Sequence, residues 1–275
     1  RKEQNWDVFG RSRLDGKWSA PITISTAPGS DLFPRAATES GGRVWVTWQS
    51  LGETGGDILA AVQKGEGFSP PELIAADPAN EWDPAIATSS DGRIAIAWDT
   101  YANGHYDVMV RLLANGKWEE PVPVTRGPLG EARPDLAFDT RNRLWITYEV
   151  APENWGKDYG PYDRSPSRTA LYQERSIGLR VFDAGRWLEP KSQPSSAFPT
   201  LGGRRQKPAA DVKKQRYLIA QPRITVGEDG RIWISARAKI RQFEAGTGDT
   251  WVEYLTCLDG EKWRSAFPVP GTDDH

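Results

Sequence analysis

The chain has one cysteine, Cys257, one methionine and two histidines, His105 and His275, among 275 residues. A single thiol excludes an internal disulfide framework, so cysteine usage says nothing about compartment. Two isolated histidines, without H-E-x-x-H or C-x-x-C spacing, exclude a His-rich metal centre carried by this chain, and no cofactor is expected. Calcium at a site rich in oxygen donors stays open, although no spaced loop motif supports it. No apolar run nears the roughly 18 residues of a spanning helix, so no membrane partner is expected. Charge of one sign is lacking too: 35 Lys and Arg against 37 Asp and Glu leave a formal net charge of −2, which argues against a nucleic-acid partner. The sequence starts at Arg1 with no signal-like stretch behind it, and the expectation is a processed or truncated chain.

What the sequence does have is thirteen Trp, 27 Gly, 21 Pro and a repeat. Pro34, Pro84 and Pro134 recur every 50 residues, and each is followed nine positions later by an arginine, Arg43, Arg93 and Arg143; Pro222 and Arg231 keep the same offset. Aromatics recur at Trp48, Trp98 and Tyr148, and Asp7, Asp57 and Asp107 stand eleven residues before Trp18, Phe68 and Trp118. Within each unit, short β-branched and aromatic runs such as Arg43–Trp48 and Arg93–Trp98 are bounded by Gly-containing turns. Four strands per unit with Trp at fixed places predict an all-β fold, a β-propeller of four-stranded antiparallel blades.

The strand count predicts a single propeller region over 1–275. Residues 1–25 supply only the outer half of a blade, and complete blades fall at 34–75, 84–125, 134–190 and 222–270. Four and a half blades make an incomplete ring with unpaired sheet edges, expected to be completed by further sequence or another chain. Two insertions, 150–173 and 191–218, land on one face, the expected binding side.

Features that recur in every blade are assigned to the blade itself: the Asp-Gly-Arg turns, the repeated Trp and the repeated Asp. The acidic residues three before the Pro, Asp31, Glu81 and Glu131, are assigned to loop hydrogen bonding. The residue just before the Pro varies instead, from Phe33 to Asp83 to Arg133 to Gln221, as does the exit of the second strand, from Gln49 to Asp99 to Glu149 to Arg237. These eight positions are predicted to ring the channel mouth. Asp83, Asp99 and Glu149 are the candidate catalytic carboxylates, with Arg133 and Arg237 as a cationic clamp, the ingredients of acid–base work on a sugar, and Arg223 is a further candidate ligand contact. The bland alternative is a salt-bridged, solvated mouth. Trp82, Tyr101 and Trp155 are candidate stacking surfaces, and His105 and Lys157 candidate ligand contacts, with core or surface roles as the alternative for each.

The phrase Asp-Gly-Lys-Trp-Ser-Ala-Pro at 15–21, followed by Pro34 and the Gly-Arg-Val-Trp-Val-Thr-Trp strand, resembles the neuraminidase-like (BNR-type) repeat propellers. The sialidase Asp-box, S-x-D-x-G-x-T-W, is not present in that form. The phrases Trp98–Val108 and Glu153–Tyr159 are closer to the Trp-rich propeller that precedes a PHP-like metallohydrolase domain in secreted, planctomycete-type bacterial proteins. That resemblance implies a secreted or periplasmic protein whose propeller is non-catalytic. The expected function is a binding or scaffold module that engages a carbohydrate or a partner domain through its insertion-bearing face. The alternative is a glycoside hydrolase or polysaccharide lyase using the mouth carboxylates.

Overall fold

The computed structural model describes residues 5–153 apart from 54 and 103, then 174–200, 217–242 and 248–272. Trp155 and Lys157, most of the first insertion and the basic 204–216 stretch of the second lie outside these residues. Apart from one 3₁₀ turn at Pro194–Ala197, every regular element described is a β-strand. Four antiparallel sheets follow one another, each with its strands in chain order.

Blade one is built from Ser30–Thr38, Val44–Gly52, Gly55–Lys64 and an outer strand in two pieces, Gly67–Phe68 and Glu72–Ala75. Blade two uses Glu81–Thr88, Ile94–Thr100, Asp107–Ala114, and Lys117–Trp118 with Val122–Pro123. Blade three uses Gly130–Phe138, Leu144–Ala151, Ser176–Asp183 and Arg186–Leu188. Blade four uses Ile219–Val226, Ile232–Gln242, Gly248–Asp259, and Lys262–Trp263 with Phe267–Pro268. Ahead of them, Phe9–Gly10 pairs with Ile22–Thr23 and Arg13–Leu14 with Lys17–Trp18, an outer half-blade without inner strands among the described residues.

Local chemistry explains the hairpins. The turns into the outer strands carry Asp15-Gly16, Asn115-Gly116 and Ala184-Gly185, each with both φ angles positive, the geometry a two-residue hairpin of native twist requires. The turns between the first two strands are braced by acids: Asp139 accepts from the Arg143 guanidinium at 2.7 Å and from the Trp145 indole at 2.9 Å, and Glu39 does the same for Trp45 at 3.0 Å.

The second strand of each blade is covered on both faces, which is why Ile94–Thr100 is buried throughout. Its alternate residues serve neighbouring seams. Ile96 and the fully buried Trp98 pack on Ile58, Ala60 and Ile74 of blade one. Ala95 and Ala97 lie with Leu136, Ile146 and Tyr148 of blade three. One apolar cluster fills each seam, from half-blade to blade one through to blade three to blade four. Truncating one of these indoles removes apolar contact worth about 3–5 kcal/mol.

Asp31 and Glu81, two of the three acids that stand three before the Pro, depart from the loop-bonding expectation. Asp31 is 3% exposed and Glu81 fully buried, and no carboxyl oxygen of either has a hydrogen-bond partner. Both sit in the inner strand, opposite Ser50 and Thr100 respectively, and so point into a seam rather than into solvent. Burial pushes the Glu81 carboxyl up to about 8, with the Asp77 and Asp57 charges adding to it.

Candidate functional site

The inner strand of every complete blade breaks register at one place: between Leu32 and Arg35, Trp82 and Ala85, Ala132 and Asp135, and Ala220 and Arg223. Each break is a β-bulge at the X-Pro pair, and the residue before the proline is left-handed: Phe33 at φ 52°, Asp83 at 47°, Arg133 at 53° and Gln221 at 54°. None is glycine, so each position carries strain of about 1–3 kcal/mol, and a bulge re-aims the side chain it carries. A position that varies from blade to blade is therefore one whose backbone is constrained.

Carboxylates at the second-strand exits hold two of these bulges. Asp99 Oδ1 of blade two accepts from the Arg133 backbone N–H of blade three at 3.0 Å. Glu149 Oε1 of blade three accepts from the Gln221 N–H of blade four at 2.7 Å. A further seam bond runs from the Ile224 N–H to Asp135 Oδ2 at 2.8 Å. Asp99 and Glu149 are each 2% exposed.

The other Glu149 oxygen faces two guanidiniums, Arg133 Nη1 at 3.0 Å and Arg175 Nη1 at 3.3 Å. Arg133 reaches across the seam to Asp83 Oδ2 at 3.5 Å, and both those side chains are 40% exposed. Arg175 and Arg237 lie over the Trp251 ring, each 5.8 Å from its centroid, a cation–π arrangement that links Arg237 to the cluster. Burial pushes the Asp83 carboxyl above its usual range; Arg133, and more weakly Arg223 and Arg35, oppose this, while Glu149 reinforces it. Burial, then the Asp83 charge, holds Asp99 well above the usual carboxylate range. Arg35 and Arg223 act on Asp135 as well as on Asp83, so arginines of blades one, three and four all favour the charged form of the Asp83 carboxyl of blade two.

The structure thus brings Asp83, Asp99, Glu149, Arg133, Arg223 and Arg237 to one cluster. Trp82 is half-buried opposite Asp99, with its indole N–H enclosed and without an acceptor. Tyr101, 38% exposed, packs on Tyr106 with ring centroids 4.9 Å apart and the rings tilted by 58°. His105 Nε2 lies 3.0 Å from Asp107 Oδ2, and Asp107 Oδ1 accepts from the Thr125 hydroxyl at 3.4 Å. Sequence reasoning passed over Arg35, Asp135, Arg175 and Trp251. The residue after the Pro, which runs Arg35, Ala85, Asp135, Arg223, varies as freely as the one before it and was the available signal for the first two. Among the described residues no group of three or more His, Cys, Asp or Glu is placed to hold a metal ion, and no helix is long and apolar enough to cross a membrane.

These sheets, seams and bulges define a β-propeller. No protein-family model matches the sequence, and no curated protein matches it. Solved structures do. The PL25 ulvan lyase bound to -[GlcA(1-4)Rha3S]- aligns with a TM-score of 0.62 at 14% identity, over 96% of this chain and 67% of that one. The GH93 α-L-arabinofuranosidase of Fusarium graminearum, complexed with arabinobiose, aligns at 0.52 and 14% identity over 99% and 76%. The Trypanosoma rangeli sialidase aligns at 0.51 and 8% identity over 98% and 41%. The chain shares the sialidase-like propeller fold with all three.

Proposed function

We propose that the protein is a carbohydrate-binding propeller whose channel mouth takes an acidic saccharide, carboxylated or sulfated, without cleaving it. The observation that carries this reading is how the charges are engaged. Asp99 and Glu149 are buried and occupied in holding the next blade, which leaves Asp83 as the accessible carboxylate of the three. Cleavage by a carboxylate pair needs two that reach the sugar. The exposed Arg35 and Arg223 have no carboxylate within ion-pair distance among the described residues, and a planar guanidinium binds a carboxylate or sulfate in two-pronged fashion. Solved propellers of the same fold carry bound saccharides, one of them containing GlcA and Rha3S. A location outside the cytoplasm and a metallohydrolase partner domain belong to the same proposal and rest on the sequence resemblance.

The test is calorimetric titration with glucuronate-containing oligosaccharides and with neutral arabinobiose, followed by chromatography of the recovered sugar. The acidic ligand should bind and return intact, and Arg35→Ala with Arg223→Ala should weaken it by about tenfold or more, with a marked salt dependence. Equal binding of both sugars would overturn the acidic specificity. Shortened sugar that disappears in Asp83→Asn would establish the rival reading, an enzyme with Asp83 at its centre.

A further inference from the structure

The repeat provides an internal control for the face of the half-blade that points away from blade one. Trp18, Phe68 and Trp118 occupy the same place in successive units. Phe68 packs on the half-blade cluster, and Trp118 meets the edge of Trp45 in blade one at 6.0 Å while its indole donates to Glu72 Oε2 at 2.8 Å. Trp263 of blade four likewise donates to the Ser192 carbonyl, just past blade three, at 3.0 Å. In each case the preceding unit covers the aromatic. Trp18 is 62% exposed.

Arg11 shows the same pattern, as the counterpart of Arg111. Both spend their Nε on the carbonyl eight residues on, Ser19 at 2.9 Å and Glu119 at 2.8 Å. Arg111 then sends Nη1 across the seam to the Leu73 and Ile74 carbonyls of blade one at 3.2 and 2.9 Å, and Arg180 sends its own to the Val124 carbonyl of blade two. Among the described residues the Arg11 terminal nitrogens have no such acceptor. Among the described residues the Phe9–Gly10 strand pairs on one side alone, whereas its counterparts Leu59–Ala60 and Met109–Val110 also pair with a second strand. Phe9 is 57% exposed and Leu14 76%.

We propose that the half-blade is a docking edge for one further stretch of this same repeat: two inner strands that add to Phe9–Gly10, preceded by the outer strands of a blade. That stretch would present consecutive main-chain carbonyls to Arg11 and an aromatic edge and acceptor to Trp18. Strand addition to an open edge supplies the main-chain bonds, and the two side chains set which unit fits.

The test places a copy of residues 26–100 directly before residue 1, which preserves the 50-residue register, and follows hydrogen exchange at residues 8–19. The extended chain should slow exchange at Phe9 and Gly10 by at least about tenfold. Arg11→Ala with Trp18→Ala should abolish that protection in the extended chain and leave the melting temperature of the unextended chain unchanged. Unchanged exchange at Phe9 and Gly10 overturns the proposal, whether the added stretch resists protease or not. Self-association of the unextended chain with protection of the same amides also overturns it, because a second copy would then be the occupant.

Discussion

Two seams of the same repeat solve one problem differently. Where blade three meets blade four, Glu149 takes the Gln221 N–H with one oxygen and two guanidiniums with the other. Where blade one meets blade two, the equivalent residue is Gln49, 1% exposed, and neither of its amide atoms has a partner. Nearby, Glu81 is buried with both oxygens unpaired, and so is the Thr100 hydroxyl. At the second-strand exit the first seam is locked by polar bonds, whereas the second packs Trp98 on apolar neighbours beside unpaired polar groups that weaken it and takes its polar bonds elsewhere, from Thr88, Arg111 and Trp118. A shared backbone plan thus leaves each seam free to have its own stability and its own response to pH.

The largest expected effect lies in the locked seam. Glu149→Met strips Arg133 of its nearest carboxylate and leaves the Gln221 N–H without an acceptor, and urea unfolding should register a loss of about 3 kcal/mol or more. The next lies in the other seam and depends on pH. Folded, Glu81 keeps its proton up to about pH 8, whereas its ordinary value is 4.5. The folded chain therefore binds more protons across that window, so stability falls as pH rises through it and levels off above. Glu81→Gln should flatten this slope, with a gain on the order of 4 kcal/mol at pH 8.5; a slope as steep as the parent's would show that another group carries it. The smallest effect comes from Gln49→Met, which removes two unpaired polar atoms at similar volume and should be neutral or slightly stabilising. A loss matching that of Glu149→Met would erase the contrast between the seams.

The fold was legible because repetition averages out local ambiguity: a single Trp98 strand is ambiguous alone, but its recurrence with the Pro, the turn and the arginine fixes the strand order within each unit. The variable positions before the Pro were legible for the same reason, as exceptions to a rule. Arg175 was hidden because the first insertion breaks the 50-residue register, and it returns as the backbone partner of Leu218 and Ile219. Trp251 was hidden because it lies in a long strand with no counterpart in register. The burial of Glu81 ran against composition, since an acid at the start of a strand reads as solvated until a neighbouring blade closes over it.

The left-handed X-Pro bulges have one more consequence. Main-chain geometry fixes them, and at two of the four seams a carboxylate from the preceding blade grips the main chain, so the bulge itself does not depend on the side chain at X, although Arg133 also pairs with Glu149 and Asp83. Phe33 and Gln221 are thus open to exchange on a fixed frame, while Asp83 and Arg133 are tied to each other by an ion pair. Exchanging Phe33 and Gln221 between their blades should give equally foldable proteins that differ only in the chemistry presented at the bulge.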